Sequence, residues 1–260
     1  RANVATGNTA VGYLAGRALT SGIRNVAIGS EAGKTQTTTN ANTSVGFEAL
    51  KLGVAGETTA IGAFCLTANT TGTHNVGIGK NCLYENESGN QNTAVGTEAL
   101  SANIGSLNTA LGYRALLANT TGTRNIAIGP NAYNASDAEQ DNIAIGYNAM
   151  TTNTAGGALN VAVGNYALDA LTSGDNNVAV GHNAGTTQTS ASQNTLIGRQ
   201  AGGSILEGES NTAIGYLALV DTAATENGRW NTAVGAFSRV VSDGEGAIVL
   251  GYNVSGTEGY

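Results

Sequence analysis

The chain has 260 residues, a formal net charge of -7, and only 11% charged and 5% aromatic residues. Without a basic run, or aromatics interleaved with Arg and Lys, it carries no footprint of a nucleic-acid groove. No apolar stretch approaches the roughly 18 residues that would cross a bilayer as a helix, and one proline among regularly spaced β-branched residues sets the chain apart from a disordered one.

The first predicted element is the strand Asn8-Thr9-Ala10-Val11-Gly12, and it returns as Asn25-Val26-Ala27-Ile28-Gly29. Copies follow at Asn42–Gly46, Thr58–Gly62, Asn75–Gly79, Asn92–Gly96, Asn108–Gly112, Asn125–Gly129 and Asn142–Gly146. Six more end at Gly164, Gly181, Gly198, Gly215, Gly235 and Gly251. A period of about 17 residues held through fifteen copies predicts a solenoid, each turn lying on the last.

With the Asn numbered zero and the fixed glycine four, position one is β-branched in every copy and position three is Val or Ile except at Leu111 and Leu250. Position two is alanine apart from Ser44, Gly77, Leu196 and Val249. Alternation sends positions one and three to one face and two and four to the other, so both faces are apolar or small. Such a strand is expected to be covered on both sides, with the Ala/Gly side meeting something very close, and sister subunits supplying the far side. The zero-position asparagines, among them Asn8, Asn25, Asn92, Asn125 and Asn211, are expected to stack as a ladder, with Thr58 and Ala247 the exceptions.

After each strand come runs such as Glu48-Ala49-Leu50 and Tyr166-Ala167-Leu168, predicted to be a second strand or tight turn, then polar turns such as Ala118-Asn119-Thr120-Thr121-Gly122-Thr123. Cys65 and Cys82 occupy one position in successive repeats where alanine otherwise prevails, and read as small buried thiols. The longest interval, Gly215 to Gly235, carries Glu226-Asn227-Gly228-Arg229-Trp230 with the single tryptophan. Trp230 beside Arg229 suits sugar stacking or a protein contact, or alternatively covers the irregular coil beneath. The last copy, Ala247-Ile248-Val249-Leu250-Gly251, follows an irregular Val240–Gly246 stretch. The opening Arg1-Ala2-Asn3 resembles neither a signal peptide nor a natural start, and open ladder ends call for continuation. The expectation is one roll domain over 1–251 and an exit segment over 252–260 leading to a further domain.

Runs such as Asn8-Thr9-Ala10-Val11-Gly12-Tyr13-Leu14-Ala15 and Asn25-Val26-Ala27-Ile28-Gly29-Ser30-Glu31-Ala32 resemble the head repeats of trimeric autotransporter adhesins and repeats of bacteriophage tail-fibre proteins. The resemblance covers nearly the whole chain. It implies a parallel β-roll, left-handed in the adhesin heads, three chains around one axis, and attachment to a cell surface. Adhesin heads use a coil of about 14 or 15 residues, so the longer coil here favours the phage branch.

Chemistry is sparse. His74 and His182 lie in distant repeats, and the glycines have no strand-to-helix setting for phosphate. Glu31 and Glu48 would stack roughly 5 Å apart, the spacing of a retaining glycosidase pair, but Lys34 and Lys51 at matching offsets point to a self-neutralised surface. Asp137, Glu139 and Asp141 lack the glycine-rich calcium nonapeptide. Mixed Thr, Val and Ile at position one read as buried, against an ice-binding face.

The expectation is therefore an all-β parallel β-roll or β-helix solenoid of about fifteen coils, about 70 Å long at ~4.8 Å per coil, assembled as a homotrimer. It serves as an attachment segment of a viral tail fibre or spike in the virion, with host cell-surface glycan or protein as partner. No catalysis, cofactor, metal, nucleic acid or membrane insertion is expected. The glycines Gly12, Gly29, Gly96, Gly129 and Gly215 and their asparagines are structural, and Arg229 and Trp230 are the candidate contact residues. A bacterial adhesin head and a glycan-cleaving tailspike are the alternatives.

Overall fold

The computed structural model describes residues 5–152, 156–220, 227–240 and 245–256. Every regular element among them is a strand, and there is no helix. The chain forms two compact units, Arg1–Asn125 and Ile126–Tyr260. At a spacing near 17 residues it makes about 14 turns of a parallel β-solenoid.

In the first unit the strands are β1 (Thr9–Val11), β2 (Val26–Ile28), β3 (Thr43–Val45), β4 (Thr59–Ile61), β5 (Val76–Ile78), β6 (Thr93–Val95) and β7 (Thr109–Leu111). The second unit contributes β8 (Ile126–Ile128), β9 (Ile143–Ile145), β10 (Val161–Val163), β11 (Val178–Val180), β12 (Thr195–Ile197), β13 (Thr212–Ile214), β14 (Thr232–Val234) and β16 (Ile248–Leu250). Within each unit neighbours pair in parallel, like position on like position, as in Thr9↔Val26, Ala10↔Ala27 and Val11↔Ile28. Two short strands, β15 (Arg239–Val240) and β17 (Ser255–Gly256), pair separately. The predicted exit segment thus begins by adding one more rung, and its residues 257–260 lie outside the described residues.

The segment after the fixed glycine is a turn and not a second strand, and the reason is in the backbone. Positions six and eight, and the residue before position zero, take left-handed conformations, as at Glu48 (φ 56°), Leu50 (φ 49°) and Glu57 (φ 59°). Each such residue turns the chain through a corner while its peptide groups still point along the stack, so that Glu48 N–H donates to Ser30 O and Leu50 N–H to Cys65 O. A left-handed leucine costs about 1–2 kcal/mol. Burying the side chain of Leu50 completely returns about 1.5–3 kcal/mol, which offsets the cost.

Which face of the strand points inward corrects the sequence expectation. Position-two alanines such as Ala27, Ala60, Ala94 and Ala144 are wholly buried inside their coils, whereas position three faces outward, with Ile61 37% and Leu111 47% exposed. Position one is half-exposed rather than buried in most copies. The interior is narrow: most coils hold the position-two and position-seven alanines plus one large side chain, while the coil from Asn160 buries both Leu168 and Leu171. The close neighbour of the fixed glycine is the next coil's backbone: a Cβ on Gly96 (φ +140°) would stand 2.3 Å from the Gly112 carbonyl oxygen.

The large side chain comes from one of two places. Leu66, Leu83, Leu100 and Leu116 at position eight each face a small polar residue at position eleven: Asn69, Asn86, Asn103 and Asn119. Where position eight is glycine, position eleven grows instead, giving Gly16 with Leu19, Gly33 with Gln36, Gly185 with Gln188 and Gly202 with Ile205. The would-be Cβ of Gly16 lies 3.1 Å from Leu19 Cδ1 and that of Gly202 3.2 Å from Ile205 Cδ1, so the two positions share one space. Leu196 enlarges position two where Gly185 and Gly202 both leave room beside it. Close packing requires this exchange, because an unfilled methyl-sized hole costs about 1 kcal/mol.

Candidate functional site

The asparagine ladder is the most regular polar feature, and it adds backbone wiring to amide-on-amide contacts such as Asn177 Nδ2 donating to Asn160 Oδ1 at 3.1 Å. Asn92 Oδ1 accepts the backbone N–H of Asn108 at 2.9 Å, while Asn92 Nδ2 donates to Gly105 O at 2.9 Å. The pattern holds at Asn8 and Asn25, where Asn25 N–H donates to Asn8 Oδ1 at 2.8 Å and Asn25 Nδ2 to Thr39 O at 2.7 Å. Asn125 N–H donates to Asn108 Oδ1 at 3.0 Å, and Asn211 N–H to Asn194 Oδ1 at 2.8 Å. Each side chain thereby satisfies the next coil's buried backbone and ties down a turn, the accounting a folded backbone demands. A second ladder that sequence reading missed runs through position eleven, with Asn86 Nδ2 donating to Asn69 Oδ1 at 3.2 Å and Asn119 Nδ2 to Asn103 Oδ1 at 2.7 Å. The signal was visible as Asn69, Asn86, Asn103 and Asn119 at one repeat position.

Arg229 and Trp230 stand on a left-handed corner, Trp230 at φ 58°. Trp230 N–H donates to Glu209 O at 3.1 Å, Arg229 O accepts from Gly246 N–H at 3.0 Å, and the Trp230 side chain reaches outward with 57% of its residue surface exposed. The ring is available for contact. Glu226, which precedes it, lies outside the described residues.

The carboxylates of the first unit form a surface network. Lys51 Nζ bridges Glu31 at 3.0 Å and Glu48 at 3.1 Å, and Lys34 adds a contact to Glu31 at 3.1 Å. Lys51, and Lys34 after it, hold the Glu31 carboxyl below the ordinary carboxylate range. A glycosidase general acid requires the opposite direction, so Glu31 is unsuited to that role. His74 pairs with Glu57 on an exposed corner beside an open recess of about 380 Å³ that also touches Asn40 and Val54. Glu139 is buried and accepts backbone N–H groups from Asp137 at 2.7 Å and Gly156 at 3.1 Å, a turn-closing role. Among the described residues no group of three or more His, Cys, Asp or Glu is placed to hold a metal ion.

Cys65 and Cys82 are free buried thiols. Cys82 and burial together push the Cys65 thiol up. Gly77, the one position-two glycine, makes the space: a Cβ there would fall 2.7 Å from Cys65 Sγ.

Two surface rows remain uncovered. One is the outward row of positions one and three, aliphatic or threonine along each unit. The other, at positions five and six of the second unit, is aromatic, with Tyr147 stacked edge-to-face on Tyr166 and Tyr216 on Phe237. No protein-family model, curated protein or solved structure matches the chain.

Proposed function

We propose that the chain is a rigid structural segment of a viral tail fibre or spike in the virion, built as a homotrimer and used in attachment to a host cell surface. The observation that carries this reading is the exposed row of Val11, Ile28, Ile61, Ile78 and Leu111, with Val180, Ile197 and Ile214 in the second unit. Among the described residues the coil interiors are packed with position-two and position-seven alanines and larger apolar side chains, and this apolar row faces away from them. A strand with apolar residues on both faces calls for cover on both, and three copies turned toward a shared axis supply it. Threefold presentation also multiplies weak contacts with a host glycan or protein into useful avidity.

The reading is tested by mass measurement in solution. The expected species is three chains, and Ile61→Asp with Ile78→Asp dissociates it because each buried carboxylate would lack a partner. A wild-type protein that stays a single chain with its sheet fully formed refutes the assembly. Adsorption of virions to host cells in the presence of excess purified protein tests attachment, with competition expected.

A further inference from the structure

The aromatic row of the second unit is not required by the repeat. Positions five and six hold Tyr147, then Tyr166, then His182 in successive coils, with ring centres 5.4 and 6.1 Å apart and planes at 87° and 73°. Arg199 follows, its guanidinium 5.5 Å from the Tyr216 ring centre. Phe237 then stands 5.1 Å from Tyr216, and Tyr252 6.1 Å from Phe237. In the first unit the same positions hold Glu31 and Glu48 on Lys51, and Glu98 on Arg114, beside the isolated rings Tyr13 and Tyr113 and one ring pair, Phe47 with Phe64. Ion pairs at these positions mark a row that faces water.

The rings also have a period of their own. Tyr147, His182, Tyr216 and Tyr252 are all position-five residues and recur at every second coil, while Tyr166, Arg199 and Phe237 fill the coils between. All four position-five rings are exposed, Tyr252 to 75%. Two coils advance about 10 Å at ~4.8 Å each. Amides lie among the rings at Asn148, Asn165 and Asn183.

We infer that this row is a stacking track for an extended glycan of β-1,4-linked pyranoses running along the coils. In such a chain successive sugars are turned over, so one face recurs every disaccharide, at nearly the advance of two coils. The C–H face of every second sugar then meets a position-five ring, and neighbouring hydroxyls reach the asparagine amides. An α-1,4-linked chain curls and loses step after two or three sugars. This deepens the attachment reading above and depends on it only for its biological setting.

The test is titration of the assembled protein with chitohexaose and cellohexaose as β-1,4 probes and maltohexaose as the α-1,4 control, followed by calorimetry and NMR. A β-1,4 hexamer is expected to bind at least tenfold more tightly than its own disaccharide and than maltohexaose. Tyr147→Ala, Tyr216→Ala and Tyr252→Ala are each expected to weaken it by about fivefold or more, while Tyr113→Ala in the first unit leaves it unchanged. The substituted rings are exposed, and unchanged circular dichroism verifies the fold. Neither hexamer binding, equal binding of maltohexaose, or loss of affinity with Tyr113→Ala overturns the assignment. If the hexamers fail while host-cell competition persists, the track is wrong and the attachment reading stands. Rings shielded from nitration in the assembled protein, together with no glycan binding, would assign the row to subunit packing.

Discussion

Replacing Asn92 by alanine removes one node of the ladder and leaves the rest in place. The Asn108 N–H loses its acceptor at 2.9 Å in a fully buried site. The Gly105 carbonyl loses Asn92 Nδ2 but keeps Asn103 Nδ2 at 2.8 Å, so one backbone group is orphaned and not two. An orphaned buried N–H costs about 1–3 kcal/mol and the second lost bond about 1 kcal/mol, giving about 2–4 kcal/mol in all. Because coils contact only their neighbours, the loss is expected to be local. Amide hydrogen exchange reads it directly: protection at Asn108 falls roughly 30- to 700-fold at 1.4 kcal/mol per decade, while protection at Asn177 holds. Asn92→Thr, which copies the natural exception at Thr58, is expected to lose less. Asn108 protection within threefold of wild type, or an equal fall at Asn177, refutes the reasoning.

Gly96→Ala forces a Cβ to 2.3 Å from the Gly112 carbonyl oxygen at a φ of +140°, so a loss of about 3 kcal/mol or more is expected in urea unfolding, and a loss under 1 kcal/mol counts against the packing described. Gln36→Leu should instead stabilise by about 1–3 kcal/mol, because both amide atoms of Gln36 are buried without partners beside Gly33, where the equivalent Gly16 faces Leu19; a destabilised variant contradicts the shared-space account. The Glu31 carboxyl titrates below its unfolded value, so its contribution is present above the ordinary carboxylate range and is lost as pH falls through the lowered value. NMR titration should show Lys51→Met returning that pKa upward, and high salt doing the same in part; an unmoved titration means the network is not formed in solution.

The fold was legible because one period covers the chain: β-branched position one, aliphatic position three and glycine at four specify a strand in each copy, and their repetition specifies the stacking. What alternation could not reveal is which of two non-polar faces turns inward, since Ala27 and Ile28 both read as buried residues. Coil width decides that, and width emerges only when the left-handed corners at positions six and eight close the turn. The exchange between Gly33 with Gln36 and Leu66 with Asn69 was likewise hidden, because residues three apart across a left-handed corner are not expected to share one cavity. The aromatic row escaped notice for a different reason: Tyr166 and Phe237 sit one position later than Tyr147 and Tyr216, so no single alignment column contains them. Trp230 was found through the longest interval of the repeat, its uniqueness and its neighbour Arg229, and its ring is exposed.

Because coils such as those of Leu83 and Leu100 carry their own filling at position eight, a turn of that kind can be duplicated or excised without opening a void in the turns beside it. Asparagine wiring that links only consecutive rungs would simply reconnect across the join. The number of turns is therefore a variable that can change in unit steps through recombination between similar stretches of gene, and a designer could add or remove turns by the same operation.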